Sequence, residues 1–124
     1  MATILVVEDD EACRETLAAM LEREGHDPII PTTPAEALVL INEDPPDLVI
    51  TDILMPDLDG IELITQARKR QPGLRCIAIS GGGKAPKELL LRAAKQLGAI
   101  ESLQKPFDRT DLIKTVNRSL APSA

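Results

Sequence analysis

The chain has 124 residues, 44% of them apolar, and a formal net charge of −6. That is enough apolar material for one buried core and too much for a disordered chain, and the acidic balance argues against nucleic-acid binding by bulk electrostatics. No apolar run approaches the ~20 residues of a membrane-spanning helix, and Met1-Ala2-Thr3-Ile4 lacks the basic start of a secretory signal, so one cytoplasmic domain over residues 1–124, with no membrane partner, is expected.

Apolar runs alternate with helical patterns five times, the mark of a β/α-repeated parallel sheet. The first run, Ile4 to Val7, ends in Glu8-Asp9-Asp10. A helix is expected from Glu11 to Arg23, with Cys13, Leu17, Met20 and Leu21 at helical spacing and Gly25 closing it. A short strand near Pro28 to Pro31 follows. Thr33-Pro34-Ala35-Glu36 then reads as an N-cap, a proline at the first helical position and an acid at the third. That helix ends before Pro45-Pro46. A strand from Asp47 to Thr51 runs into Asp52, and a loop from Asp52 to Asp59 leads to a helix from Gly60 to Arg70. The run Cys76 to Ile79 ends in Ser80 and is followed by Gly81-Gly82-Gly83. A helix is expected from Pro86 to Leu97, then a short strand over Ile100 to Leu103 ending in Gln104-Lys105-Pro106. A last helix should cover Asp108 to Leu120, with Leu112, Ile113, Val116 and Leu120 inward. Phe107 is the only aromatic residue, so the core must be aliphatic, which suits strands buried on both faces. Cys13 and Cys76 lack metal-ligand spacing and read as reduced core residues. His26, the only histidine, falls in a turn and reads as solvated.

Parallel strands would bring the residues that end these runs to one sheet edge, where open α/β sheets bind ligands. Glu8, Asp9 and Asp52 held together repel one another and call for a cation. Oxygen-only ligands favour a hard ion, Mg2+ before Zn2+. Lys105 can pair with one carboxylate but cannot neutralise three. If one carboxylate attacks a phosphoryl group, then Mg2+, Lys105 and the Ser80 hydroxyl can stabilise the charge on its oxygens, and the product is an acyl phosphate.

Each piece has a plainer reading when taken alone. Asp10 is expected to be the N-cap of the first helix, and Asp57 and Asp59 to be loop and cap residues. Ser80 alone is a strand-end hydroxyl, and Lys105 alone a solvated lysine. Other motifs fail: an EF-hand ending in Asp59-Gly60 meets Met55 and Gln66 where it needs acids, and a P-loop around Gly83-Lys84 meets Ala78 and Ala85.

Taken in order, Val6-Val7-Glu8-Asp9-Asp10, Asp47-Leu48-Val49-Ile50-Thr51-Asp52, Met55-Pro56-Asp57-Leu58-Asp59-Gly60, Ser80 and Lys105-Pro106-Phe107 resemble the receiver domain of bacterial two-component response regulators, the CheY-like family. The resemblance runs from Ile4 to Leu120. It implies a flavodoxin-like, doubly wound α/β sandwich: a five-stranded parallel sheet of order 2-1-3-4-5 with five helices. It makes Asp52 the phosphoacceptor, Asp9 a direct Mg2+ ligand and Glu8 a ligand mainly through water, with Asp52 and the Leu54 carbonyl completing the protein ligands. Ser80 becomes the switch hydroxyl that turns toward the phosphoryl group, and Lys105 pairs with that group. The implied donor is a phosphohistidine on a sensor histidine kinase or phosphotransfer protein, and the output is contact with a downstream protein rather than nucleic acid. Ser102 stands where the family usually carries a ring, so coupling by an inward-swinging ring cannot operate in that form. Leu54 and Gly82 are the other departures.

The leading expectation is therefore a phosphorylation-activated receiver that is not an enzyme. The same receiver cut from a larger regulator or hybrid kinase is the alternative. An aspartyl phosphatase or phosphotransferase would want a second Asp two residues after the nucleophile, where Leu54 stands. A phosphorylation-independent interaction domain is the remaining reading, kept open by Ser102.

Overall fold

The computed structural model describes residues 2–8, 10–52, 60–80, 101–104 and 107–121. In chain order its elements are β1 (Thr3–Val7), α1 (Glu11–Arg23), β2 (Asp27–Ile29), α2 (Pro34–Glu43), β3 (Leu48–Asp52), α3 (Gly60–Arg70), β4 (Cys76–Ser80), β5 (Glu101–Gln104) and α4 (Arg109–Leu120). The strands form one five-stranded sheet of order β2-β1-β3-β4-β5, and every neighbouring pair is parallel. Four helices lie among the described residues; the helix expected over residues 86–97 lies outside them.

Alternate residues of each strand feed two separate cores. Leu5, Val7, Val49, Cys76 and Ala78 pack on one face with Ala37 and Ile41 of α2 and Leu63 and Ala67 of α3. Ile4, Val6, Leu48, Ile50, Ile77, Ile79 and Leu103 pack on the other with Leu17 and Leu21 of α1 and Leu112 and Val116 of α4. Because both faces are covered, the strands must be apolar at successive positions, as their runs are. Cys76 belongs to the first core and Cys13 packs against the second, so the sheet separates them and neither is in a disulfide. Burial pushes the Cys76 thiol up to about 11, against a lowering influence of Arg68, which leaves it a protonated core group at neutral pH.

The helix starts are made locally. Asp10 caps α1 by accepting N–H bonds from Ala12 at 3.0 Å and Cys13 at 3.4 Å. Thr33 caps α2 by accepting from the Glu36 N–H at 3.1 Å, while the Glu36 carboxylate reaches back to the Thr32 hydroxyl and N–H. Asp108 caps α4 through the Asp111 N–H at 2.8 Å. Gly25 takes φ +84°, a conformation that L side chains rarely adopt, and so turns the chain from α1 into β2.

The expected edges shift by small amounts. β2 covers Asp27–Ile29 rather than Pro28 to Pro31. Its place at the sheet edge lets Pro28 sit in a strand, because its missing N–H is not needed on the open side. His26 is corrected from a solvated residue to a half-buried one whose Nδ1 accepts the Ala2 N–H at 3.2 Å. In α4, Leu112 and Val116 are buried as expected, but so are Thr115 and Ser119, at 2% exposure each. Their hydroxyls donate to the Asp111 and Thr115 carbonyls at 2.8 Å, which satisfies them inside the helix.

Arg75, just before β4, ties the sheet to the end of α4: its Nη1 donates to the Ser119 carbonyl at 2.8 Å and the Ala121 carbonyl at 2.7 Å. These carbonyls have no partner within the helix, and hydrogen bonds from a charged donor contribute ~1.5–3 kcal/mol. Arg75→Ala should therefore cost about 2 kcal/mol, a drop on the order of 5–10 °C in a thermal melt. An unchanged midpoint would mean that Leu112 and Val116 alone hold the helix.

Candidate functional site at the carboxyl edge of the sheet

The site begins with register. Val7 of β1 lies opposite Thr51 of β3, so the next residues on these strands, Glu8 and Asp52, leave the sheet side by side. Asp52 pairs with Ile79, and Ser80 is the next residue on β4. Ser80 pairs in turn with Gln104 on β5. Parallel topology thus carries Glu8, Asp52, Ser80 and Gln104 to one edge, across four adjacent strands.

Two of these residues are buried acids. Glu8 is 5% exposed and Asp52 is 7% exposed. Ionised carboxylates rarely sit so deep without compensation. Glu8 turns back on its own loop, its Oε1 accepting the Asp10 N–H at 3.1 Å. Asp10 is exposed and committed to capping α1, which keeps it out of the acid cluster, as its sequence position suggests. The Thr51 hydroxyl donates to the Asp52 carbonyl at 3.0 Å, fixing the end of β3. Arg14, one turn into α1, donates from Nη1 to the Glu8 carbonyl at 3.2 Å.

The response regulator receiver domain model matches residues 4–117. The chain belongs to the response regulator receiver family. Receivers are the signal-accepting domains of two-component phosphorelays, and this chain is one of them. It is 38% identical over 121 residues to the DNA-binding transcriptional regulator NtrC of Azospirillum brasilense, covering 96% of this chain and 24% of NtrC. It is 34% identical to FixJ of Azorhizobium caulinodans, covering 96% of this chain and 55% of FixJ. The chain spans about a quarter of the length of the first curated relatives it matches. Among solved structures it superposes on the receiver domain of NtrX from Brucella abortus with a TM-score of 0.88 at 34% identity, covering 97% of this chain and 99% of that one. A CheY-like receiver from Methanospirillum hungatei gives a TM-score of 0.85 at 30% identity, covering 97% and 94% of the two chains.

In this receiver the structure brings Glu8 and Asp52 together and ends β4 at Ser80, whose side chain lies outside the described atoms. Asp9, Leu54 and Lys105 lie outside the described residues. No group of three His, Cys, Asp or Glu residues stands ready for a metal among the described residues. The donors that are described nonetheless fit a hard cation: two buried carboxylates, all-oxygen, on adjacent strand ends. Ser102, at the position where the resemblance implies a ring, is half-buried on β5 opposite Ala78. Arg14 was not anticipated. Its only sequence signal is its spacing of four residues from the cap Asp10, one helical turn, which brings a long side chain back over the start of its own helix. No helix among the described residues is long and apolar enough to cross a membrane.

Proposed function

We propose that the chain acts over residues 1–124 as a receiver that accepts a phosphoryl group on Asp52 from a phosphohistidine of a sensor kinase or phosphotransfer protein. The observation that carries this reading is the pair of buried carboxylates, Glu8 and Asp52, on adjacent strand ends at the ligand-binding edge of the sheet. An Asp52 carboxylate oxygen attacks phosphorus, the P–N bond to the donor histidine breaks, and the ring nitrogen that leaves takes up a proton from solvent to give neutral imidazole. The product is an aspartyl phosphate. Glu8, Asp9, Asp52 and the Leu54 carbonyl would hold Mg2+, which when bound supplies charge neutralisation at the phosphoryl oxygens. Lys105 and the Ser80 hydroxyl would hold the phosphoryl group once transferred. With Leu54 in place of a second acid, turnover of outside substrates is not expected, and the output is contact with a downstream protein.

A second reading is the same receiver as one part of a longer regulator. It is favoured by the share of NtrC and FixJ that this chain spans, 24% and 55%. In that case any nucleic-acid contact would belong to the rest of the protein. Both readings require the same chemistry. Incubation with acetyl phosphate and Mg2+ should add the mass of one phosphoryl group, and chelation of the metal should prevent it. Labelling that ignores chelation would remove the metal from the reaction.

A further inference from the structure

The turn that carries the acids is closed by side chains from both of its ends. On one side Glu8 Oε1 accepts the Asp10 N–H at 3.1 Å, and Asp10 Oδ1 accepts the Ala12 N–H at 3.0 Å. On the other, the Arg14 N–H donates to the Asp10 carbonyl at 2.9 Å, and Arg14 Nη1 donates to the Glu8 carbonyl at 3.2 Å. Arg14 therefore holds both ends of the segment from Glu8 to Asp10, one through its backbone and one through its guanidinium. The side chain is half-buried. Its charged head reaches the strand end that carries the buried acid Glu8.

A cation in this place has two opposed effects on divalent-metal binding. Through space its charge repels a second cation. Through the Glu8 carbonyl it fixes the backbone that carries Glu8, so less freedom is lost when a metal orders it. Resting on the receiver reading of the acid pair, we propose that the second effect wins and that Arg14 is a positioning residue for Mg2+. The juxtaposition that carries the proposal is a guanidinium bonded to the backbone of the acid-bearing turn rather than to either carboxylate. An arginine present to neutralise the cluster would bond Glu8 or Asp52 side-chain oxygens. This one spends its bond on a carbonyl that no side-chain titration can remove.

The two effects differ in sign, which makes them separable. Arg14→Met removes the charge and the donor but keeps an apolar stem of similar length. Arg14→Lys keeps the charge and one donor that can reach the carbonyl. Binding of MgCl2 to the metal-free protein is read from amide chemical shifts, because the chain has no Trp and no Tyr for fluorescence. Dispersed spectra at the titration temperature establish that each variant is folded. Arg14→Met should bind Mg2+ on the order of 10-fold more weakly, the usual scale for losing a group behind a metal ligand. Arg14→Lys should recover most of that loss. Equal or tighter binding by Arg14→Met would overturn the proposal, since only the through-space charge would then matter. Arg14→Lys binding no better than Arg14→Met would overturn it too, because a donor to the Glu8 carbonyl would not suffice. A wild-type protein that binds no Mg2+ would instead remove the receiver reading of the acid pair and the proposal with it.

Discussion

Glu8→Gln should make the metal-free protein more stable, an advantage that Mg2+ largely removes. Glu8 and Asp52 are both buried, and their strands are adjacent. Neighbouring strands lie ~4.8 Å apart, and two carboxylates roughly 5–7 Å apart repel by roughly 2–3 kcal/mol at an effective dielectric near 20. Cations such as Arg14 offset part of this, which leaves a gain of about 1–2 kcal/mol, on the order of 5 °C, for the neutral side chain. Glutamine keeps an Oε1 that can accept the Asp10 N–H, so the turn itself is not broken. Mg2+ offsets that gain. At ten times its Kd a ligand that binds only the folded state adds about 1.4 kcal/mol, and the variant should lose at least tenfold in affinity through its missing charge. Melts in chelator and in excess MgCl2 should therefore converge, the gap between variant and wild type closing as Mg2+ rises. A variant that melts lower in chelator would show that net attraction, not repulsion, governs Glu8.

Ser80→Ala should leave phosphorylation possible and uncouple it from structural change. β4 ends at Ser80, beside the strand that ends at Asp52. A hydroxyl donating to a charged phosphoryl oxygen contributes ~1.5–3 kcal/mol, enough to shift a two-state equilibrium by roughly 10- to 150-fold. Ser102, not a ring, stands on β5 two residues before the end of that strand, so the shift must travel by another route. The expected route is the sequence that follows Ser80, Gly81-Gly82-Gly83. With beryllofluoride as a phosphoryl mimic, wild-type amide shifts should change most from Gly81 to Leu91, and much less in Ser80→Ala. Equal responses would take Ser80 out of the switch.

The fold was legible in the sequence wherever local physics decides it. Asp10, Thr33 and Gly25 mark helix ends through their own backbone geometry, and the structure uses all three in that way. Successive apolar residues in β1 and β4 announce strands covered on both faces. What stayed hidden depends on partners far away in the chain. The bonds from Arg75 to Ser119 and Ala121 span 44 and 46 residues, and the bond from Ala2 to His26 spans 24. No local pattern reports such contacts. Thr115 and Ser119 were missed for a different reason: polarity suggests an exposed face, yet each hydroxyl is satisfied by a carbonyl one turn back and can then be buried. For the site, Glu8 and Asp52 were readable because each follows an apolar run, and topology does the rest. The role of Arg14 needed the turn itself, since a charge on the first turns of an exposed helix is ordinarily a solvated one.

The central claim is that Asp52 is the residue that carries the phosphoryl group, and reductive trapping reads that residue directly. After reaction with acetyl phosphate and Mg2+, borohydride reduces an aspartyl phosphate to homoserine and releases phosphate. Peptide sequencing by mass spectrometry should then find homoserine at position 52, with Glu8 and Asp10 unchanged. Homoserine at another acidic residue, or none anywhere in a protein that has gained a phosphoryl group, would contradict the account.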